Sequence, residues 1–521
     1  MEEKEYLIVM GIPSIKKYVF GTDRLKEIRG ASALLDNLIR NEIEEYLKNC
    51  ADLKEVKMVF SRGGSAQCIV KADQQILKRC LRELEGLFIN KTAGGLRLIW
   101  GMDEYNGNNY PEALRNAHLD SECQREEKPF LPTSQLHTGY IRECDSCSKM
   151  AIRITQDKDE QRLLCSECYL KLAYNLNARD GLWDELSVFL RQKQVAAERP
   201  DNFEQIGDQC KARKGYTALI YADGNAIGKI IKQIGSKREY QFFSNTVEGS
   251  IRKACKESIY ETFFKDVKKH PSILPAEVLL LGGDDLLVYL TAESAFPFAI
   301  KVAKKFNMET AKNFSESPFF SEILRGKGLT ISLGIAYGKT HTPFSLLLDQ
   351  AEELLHLAKK KGSQNADPGS YYVPAYIDYH LSTNFNQISV KDSRTDHMEI
   401  LRSKTEDNVK ITKIIKLYQR PYSLEDAEAL LEHAEILKNS GIPGTRLNRL
   451  GNAPAMGMVD GTIEFLNLYT RAGDSREAVG NALARFNCFT KMPWKNESAG
   501  ESTVLLDLIE LAGFCNNNSF E

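Results

Sequence analysis

The sequence lacks an excess of charge of either sign, an apolar run of membrane-spanning length and an apolar leader at its N-terminus. The formal net charge over 521 residues is −2, so no overall basic field supports non-specific binding to nucleic acids. No uninterrupted apolar stretch reaches the roughly 20 residues that a transmembrane helix needs, and the acidic residues after Met1 are unlike a signal peptide. With 42% hydrophobic and 27% charged residues, the chain is typical of a globular protein of three or four domains. Four of its 12 cysteines have metal-binding spacing, which favours a reducing compartment, so we expect a cytoplasmic protein without a membrane partner.

The most informative motif is a pair of acidic residues between two apolar segments. Residues 278–281 and 286–289 are short, apolar and partly β-branched, as expected of buried strands. Between them, Gly282 and Gly283 permit a tight hairpin turn that presents Asp284 and Asp285 side by side. Adjacent carboxylates raise each other's pKa, and burial makes their ionisation costlier still. A divalent cation relieves both effects, and carboxylate oxygens on a rigid turn are ligands that Mg²⁺ and Mn²⁺ prefer.

A third acidic residue has a matching context. Asp223 ends the predicted strand 216–222 and is followed by a turn and a short helical pattern. If this strand neighbours the hairpin, the three acids converge in an arrangement that suits two-metal phosphoryl transfer. One ion would then activate a 3′-hydroxyl and the other would steady the phosphates and the leaving pyrophosphate. The alternative is a solvated turn and an ordinary surface aspartate, which the apolar flanks disfavour.

A second motif predicts a structural zinc site. Two CxxC pairs are separated by seventeen residues and supply Cys144, Cys147, Cys165 and Cys168. This spacing is typical of a tetrahedral site with four thiolates, which leaves no open position for catalysis. Unligated redox dithiols are the competing interpretation.

The chain also contains an internal repeat. Residues 7–11 align with residues 219–223, and residues 59–66 align with residues 278–285. In this alignment the non-acidic counterparts of Asp223, Asp284 and Asp285 are Gly11, Ser65 and Ala66. The first copy is therefore predicted to keep the scaffold without the metal, and either to bind a nucleotide without reacting it or to pack against the second copy. A chance likeness of two strand-turn-strand units is the alternative.

The second copy is predicted to be a βαββαβ unit with its helices on one face of the sheet. Its strand 329–338 is followed by a helix over residues 343–361, and residues 371–373 are expected to start a closing strand. Lys359 lies near the end of that helix. It is either a solvated residue that favours the helix dipole or a contact to a triphosphate, and both readings stay open on these residues alone.

These motifs resemble the palm of the CRISPR polymerases, the large subunits of type III CRISPR effector complexes. The resemblance is carried by residues 223–225, 282–285 and 332–335, and by the helix 351–359, which GGDEF-type cyclases share. It implies an α+β fold with two ferredoxin-like palms, a four-cysteine zinc segment between them and a helical C-terminal domain. The expected ranges are a degenerate first palm at 1–105, a helical linker with the zinc ribbon at 106–210, the catalytic second palm at 211–385 and the helical domain at 386–521.

The resemblance further implies an activity, which is the conversion of ATP into cyclic oligoadenylates. Asp223 and Asp285 would hold Mg²⁺ or Mn²⁺, with Asp284 shared between them or supporting. The nucleotide would be lined by Gly224, Asn225, Lys229, Gly282, Gly283 and Lys359. Guide or target RNA, other CRISPR effector subunits or a second copy of the chain are the implied partners.

One departure from the family concerns the nuclease domain with which many members begin. The first palm strand starts by about Tyr6, and no histidine is directly followed by aspartate, so cleavage of single-stranded DNA is not expected. Two other functions remain as alternatives. The chain could be a non-catalytic scaffold that senses nucleotide or RNA, or a GGDEF-like dinucleotide cyclase that uses GTP.

Overall fold

The computed structural model describes most of the chain. The described residues are 3–127, 142–157, 160–177, 181–265, 267, 270–382, 389–406, 409–440, 442–471, 476–486, 493–497 and 500–515.

Residues 3–104 form a four-stranded antiparallel sheet with its helices. The elements are β1 (Lys4–Gly11), α1 (Ile15–Val19), α2 (Leu25–Asn37), a π-helical turn (Leu38–Glu42), α3 (Ile43–Asn49), β2 (Lys54–Arg62), β3 (Ser65–Ala72), α4 (Gln74–Lys91) and β4 (Ile99–Glu104). The strand order is β2-β3-β1-β4, which is that of a ferredoxin-like βαββαβ unit. Asp73 begins α4, because its side chain accepts hydrogen bonds from the backbone N–H groups of Gln75 and Ile76.

The next segment contains the four cysteines and is mainly helical. Its elements are α5 (Tyr110–Glu127), β5 (Arg153–Asp157), β6 (Glu160–Leu164), α6 (Ser166–Asn177), α7 (Gly181–Gln192) and α8 (Phe203–Gly207). Strands β5 and β6 form a two-stranded antiparallel ribbon. Helix α5 packs on β4 and β1 of the first sheet, across the expected boundary at residue 105. The domain boundaries stay predictions.

The third segment has the same strand order as the first, with additions at one edge. Its elements are β7 (Tyr216–Gly224), α9 (Ile227–Ile231), α10 (Lys237–Phe263), β8 (Ala276–Gly282), β9 (Asp285–Thr291), α11 (Ala292–Phe314), α12 (Pro318–Leu324), β10 (Ile331–Lys339), α13 (Phe344–Gln364) and β11 (Tyr376–Leu381). The sheet order is β14-β11-β10-β7-β9-β8, where β14 (Tyr422–Ser423) comes from the C-terminal segment. The closing strand starts at Tyr376, so the expectation of a strand from residue 371 was wrong. Pro374 has no N–H to donate to a ladder, which explains the later start.

Helices cover both faces of this sheet, which corrects the expectation of a one-sided sheet. Successive strand residues point to opposite faces. In β7, Ala218 and Ile220 pack in the core formed with α10 and α11. Leu219 and Tyr221 pack instead in a core that contains α13 and the first sheet. Because β7 is apolar on both faces, it is buried on both.

The C-terminal segment is largely helical but also contains a small sheet that the sequence interpretation did not include. Its elements are α14 (Val390–Met398), β12 (Glu399–Glu406), β13 (Val409–Lys416), β14 (Tyr422–Ser423), α15 (Leu424–Asn439), α16 (Gly444–Asn452), a 3₁₀ turn (Ala453–Met456), α17 (Met458–Thr470), α18 (Arg476–Arg485), β15 (Lys495–Glu497), β16 (Gly500–Ser502) and α19 (Leu505–Ala512). The sheet order is β12-β13-β16-β15.

The predicted fold class, which is α+β with palms, a four-cysteine cluster and a helical C-terminal region, is confirmed. No described helix is both long and apolar enough to cross a bilayer.

The two palm-type units share one hydrophobic core and a buried ion pair. Phe20 of the first unit lies 5.5 Å from Phe344 of α13, centroid to centroid. Arg29 of α2 donates to both carboxylate oxygens of Glu277 on β8, at 2.8 and 2.6 Å. Arg199 also pairs with Glu277, so the carboxylate has two cationic partners. Because both side chains of the Arg29–Glu277 pair are buried, loss of Glu277 would leave Arg29 as an uncompensated buried charge at a cost of about 3–5 kcal/mol. This contact fixes the first unit against the second.

The repeat is visible in backbone detail. β1 and β7 begin 212 positions apart, at Lys4 and Tyr216, and the helices α1 and α9 that follow each span five residues at that same offset. Ser14 and Ala226, which precede these helices, both adopt the left-handed conformation, with φ of 59° and 60°. The two copies therefore use the same turn to connect the first strand to the first helix.

The hairpin alignment was wrong by one residue. Arg62 pairs with Ser65 across the first hairpin, and Gly282 pairs with Asp285 across the second. The two turn residues are thus Gly63 and Gly64 in the first copy, and Gly283 and Asp284 in the second. The structural counterparts of Asp284 and Asp285 are therefore Gly64 and Ser65, and not Ser65 and Ala66. The conclusion that the first copy has no acid at these positions is unchanged.

Candidate functional site

The three predicted acids lie together at one end of the strands of the second sheet, where β7 ends and β9 begins. Ala222 pairs with Leu286, which places the end of β7 beside the start of β9. The carboxylate of Asp284 packs on the backbone of Gly224, where an added Cβ would lie 2.6 Å from Asp284 Oδ2. Asp223 is close enough to Asp284 to perturb its ionisation through both charge and hydrogen bonding. A hairpin turn and a strand end, 60 residues apart, thus converge.

Electrostatics at this corner disfavour full ionisation without a cation. Burial and then the charge of Asp223 raise the pKa of Asp284 from its ordinary value of 3.8 to about 7. Burial and Asp223 also raise the pKa of Asp285, to about 6, and the positive charges of Lys16 and Lys359 oppose that rise. Clustered carboxylates with these shifts are a donor set that fits Mg²⁺ or Mn²⁺. Their carboxylate oxygens do not all lie within 4.8 Å of one another, since among the described residues only the four cysteines form such a group. Asp223, Asp284 and Asp285 would therefore hold an ion once their side chains close on it.

Lys359 reaches the corner from α13. Its Nζ donates to Asp223 Oδ2 and to the backbone carbonyl oxygen of Gly224, the latter at 2.9 Å. Its side chain is 30% exposed. An ammonium bonded in this way is not a solvated helix cap. It supplies the positive charge next to Asp223 that a divalent ion would otherwise provide.

Lys16 of the first unit also reaches this corner, and the sequence interpretation missed it. Its Nζ lies 2.9 Å from Glu352 Oε1 and 4.5 Å from the centroid of the Tyr221 ring. Burial and the neighbouring Asp285 raise the pKa of Tyr221 well above its usual range. At the offset of 212 residues between the two copies, the adjacent Lys17 corresponds to Lys229, so Lys16 lies within the repeated segment.

A cavity of about 680 Å³ lies between the two palm-type units and extends to Asp285. The first unit contributes Ser14, Lys16 and the turn Gly63–Gly64 to its wall. The second unit contributes residues 280–282. The volume is in the range of pockets for small ligands. The space next to the acids is therefore bounded by both copies of the repeat.

The other predicted nucleotide-binding residues have different surroundings. Gly282 ends β8 and Gly283 is the first residue of the hairpin turn, with a φ of 63°, which favours glycine. Asn225 is buried, and its amide bonds to Thr330 at 2.8 Å and to Ser332 at 3.0 Å, so its side chain joins β7 to β10. Lys229 is exposed on α9. Roles in nucleotide binding for these residues stay predictions.

The four cysteines of the two CxxC pairs converge in a separate cluster. Their sulfur atoms all lie within 4.8 Å of one another, and Cys147 Sγ is 3.6 Å from Cys165 Sγ. Zinc–thiolate bonds of about 2.3 Å would place tetrahedral sulfurs about 3.8 Å apart, so the cluster fits a four-coordinate zinc ion.

This cluster is attached to the first unit. Arg162 of β6 donates to Glu27 of α2 at 2.6 Å, and Ser146 Oγ donates to the same carboxylate at 2.8 Å. Gly30 lets α6 approach α2 closely, because an added Cβ would lie 1.8 Å from the carbonyl oxygen of Lys171. The cysteine segment therefore supports the wall of the cavity rather than the acids.

Comparisons with known proteins agree with this architecture. A family model of the Cas10/Cmr2 second palm domain matches residues 216–366. A comparison with curated proteins gives no match. Among solved structures, Csm1 of T. onnurineus is 13% identical, with a TM-score of 0.55 over 99% of this chain and 70% of that one.

Two further solved structures are complexes. The Csm1–Csm4 cassette with cA4 is 14% identical, with a TM-score of 0.52 over 98% of this chain and 70% of that one. The cassette with pppApApA is 13% identical, with a TM-score of 0.54 over 98% and 69% of the two chains. At these identities the likeness shows a shared fold. Residues 216–366 match the second palm domain of the Cas10/Cmr2 family, and the fold of the chain resembles that of the large subunit of type III CRISPR effector complexes.

Proposed function

We propose that this chain is a metal-dependent nucleotidyltransferase that joins ATP into cyclic oligoadenylates in CRISPR-type defence. The observation that carries the proposal is the convergence of Asp223, Asp284 and Asp285 beside a cavity between two palms. Adenine is inferred from the shared fold, since two of the solved structures with this fold are complexes with cA4 and pppApApA. A cytoplasmic location, RNA and other effector subunits or a second copy as partners, and structural Zn²⁺ on the four cysteines belong to the same proposal.

The residues of the second palm would bind the donor nucleotide. Asp223, Asp284 and Asp285 would hold Mg²⁺ or Mn²⁺, which supplies charge that favours the ionised 3′-hydroxyl and neutralises the leaving pyrophosphate. Lys359 is bonded to Asp223 without a metal, so a bound cation would release its ammonium toward the phosphates. Gly224 keeps the space beside Asp284 open, because any side chain there would meet the carboxylate.

The first palm would hold the acceptor nucleotide without reacting it. It has Gly11, Gly64 and Ser65 where the second palm has acids, so no cation site forms there. It contributes Lys16 and the Gly63–Gly64 turn to the cavity. Two nucleotides in one cavity would bring a hydroxyl and a triphosphate into proximity, which is the main requirement for this transfer.

The decisive experiment incubates the purified chain with each ribonucleoside triphosphate and Mg²⁺ or Mn²⁺. Pyrophosphate release is followed, and the products are identified by mass spectrometry. We expect oligoadenylates from the wild type and none from the double variant Asp284→Asn, Asp285→Asn. The matched control, Asp349→Asn with Asp367→Asn, removes two exposed acids on and after α13 and should behave like the wild type.

Two outcomes would contradict the proposal. Nucleotide binding without pyrophosphate release in any metal, with or without added RNA, would favour the scaffold function. A cyclic dinucleotide made from GTP would favour the GGDEF-like alternative.

A further inference from the structure

A second cavity, of about 410 Å³, lies on the far side of α13 from the acids. It is formed where the end of α13 meets α14 and the connection between β13 and β14. Six basic residues line it: Lys360, Lys361, Lys391, Arg394, Lys416 and Arg420. Lys359 is not among its lining residues, so this cavity is separate from the candidate site.

The two arginines that line the cavity are paired with acidic side chains. Arg394 donates to both oxygens of Asp378, at 3.0 and 2.7 Å. Arg420 is paired with Asp507 at 2.8 Å and also with Glu510. These side chains are buried, and their charge is largely compensated.

The four lysines carry the uncompensated charge. Within the described part of the chain, none of their ammonium groups lies within ion-pair distance of a carboxylate. One acidic residue, Glu399, lines the cavity, and it accepts a hydrogen bond of 2.6 Å from the Tyr418 hydroxyl. Four positive charges therefore border one open pocket, in which Lys416 is half-buried and the other three lysines are exposed.

Helix dipoles do not account for this arrangement. Lys360 and Lys361 lie near the C-terminus of α13, where cations are favoured. Lys391, however, is in the first turn of α14, where a cation is disfavoured, and Lys416 ends strand β13. The start of α14 is capped by Glu353, which accepts from the backbone N–H groups of residues 390 and 391 at 2.7 and 2.8 Å. Lys391 is therefore unfavourably placed for its own helix and favourably placed for an anion in the cavity.

We propose that this basic pocket binds phosphate groups, either of a free nucleotide or of an RNA backbone. Lysine ammonium groups bind phosphate as point charges and require no fixed hydrogen-bond geometry. The volume admits a ligand of nucleotide size. The pocket would thus provide a local positive site for a polyanion on a protein whose formal net charge is −2.

The test measures binding of a labelled oligouridylate to the full chain by fluorescence anisotropy. EDTA is present throughout, so that the acids at the candidate site hold no cation and repel phosphate. The test variant is Lys391→Gln with Lys416→Gln, which leaves α13 and Lys359 intact. The control, Lys211→Gln with Lys312→Gln, removes the same charge from exposed lysines elsewhere.

We expect the test variant to bind about tenfold more weakly and to lower the salt dependence of log K by about 1.4, which corresponds to two lost phosphate contacts. The control should change the affinity by less than about twofold. Inorganic triphosphate, added as a competitor, distinguishes the sources. Efficient displacement of the RNA supports a free-nucleotide ligand, and poor displacement supports the RNA backbone.

A second measurement keeps the proposal testable if the variant is less stable. Inorganic triphosphate should raise the thermal midpoint of the wild type and the control, and leave that of the test variant unchanged. Equal weakening of RNA binding in both double variants, or no binding of either probe by the wild type, would refute the pocket.

Discussion

Replacement of Asp284 by asparagine should stabilise the metal-free protein while it abolishes the proposed activity. The side chain keeps its size and loses its charge, so the change isolates electrostatics. Asp284 is packed on Gly224 and is close to Asp223, and its surroundings disfavour a carboxylate. A residue that is retained at a cost to stability is typical of a functional site.

The magnitude follows from the pKa. Burial and Asp223 raise the pKa of Asp284 from 3.8 to about 7, which corresponds to an electrostatic cost of about 4 kcal/mol when the group is ionised. Because the side chain keeps some contact with solvent, we expect about half of this, or about 2 kcal/mol. The folded protein binds the proton more tightly than the unfolded chain does. The cost is therefore absent below the ordinary pKa of 3.8 and is complete above about pH 7.

The assay compares thermal midpoints in EDTA at about pH 5 and about pH 8. The Asp284→Asn variant should melt roughly 5 °C above the wild type at the higher pH, and the gain should fall to about two thirds of that value at the lower pH. Added Mg²⁺ should raise the midpoint of the wild type more than that of the variant, because binding of the ion removes the same cost. The control, Asp367→Asn, changes an exposed acid and should show neither effect. A gain that is equal at both pH values, or a loss of stability, would refute the electrostatic argument.

Three further predictions concern other residues of the site and the cysteine cluster. Gly224→Ala should lower the rate of pyrophosphate release at least about tenfold, because the added Cβ would lie 2.6 Å from a carboxylate oxygen of Asp284. The control, Gly228→Ala, adds a Cβ with no neighbour within 4 Å, and its rate should stay within about twofold of the wild type. Lys16→Ala should raise KM for the nucleotide or lower turnover about tenfold, as measured by steady-state kinetics. Melting curves should show an unchanged thermal midpoint. An unchanged rate would show that the first palm does not contribute to the site. Elemental analysis should find zinc in the wild type and none in Cys144→Ser, which should also melt at a lower temperature; a metal-free wild type of the same stability would contradict the zinc site.

The acids could be predicted from the sequence because each follows a strongly apolar strand. The apolar context of Asp223, Asp284 and Asp285 is visible within a few residues of each acid. The sheet order then brings the three residues together. The contact of Lys359 with Asp223 joins residues 136 positions apart, and the sequence alone left its role open. The role of Asn225 was less predictable. Its amide is engaged by Thr330, 105 residues away, and no local pattern marks that pairing.

Register and short strands were the parts that sequence reasoning could not fix. The two hairpins each contain adjacent glycines, but the turn falls on Gly63–Gly64 in one copy and on Gly283–Asp284 in the other. A shift of one residue is invisible to a glycine pattern and becomes clear only from strand pairing. Strands β15 and β16 have three residues each, which is too short for an alternating pattern to show.

The absence of acids from the hairpin turn of the first palm is explained by how closely the two hairpins approach. An added Cβ on Gly63 would lie 3.5 Å from the backbone nitrogen of Gly283, so the two turns are close to contact with each other beside the cavity. Carboxylates on both turns would place a second group of like charges beside Asp284 and Asp285, whose pKa values are already raised. The first palm instead contributes uncharged glycines at the turn, and the cation Lys16, which offsets the negative charge of the second palm. On this reasoning the asymmetry of the repeat is a condition for the site, because two acidic palms in this arrangement would repel each other and the phosphates between them.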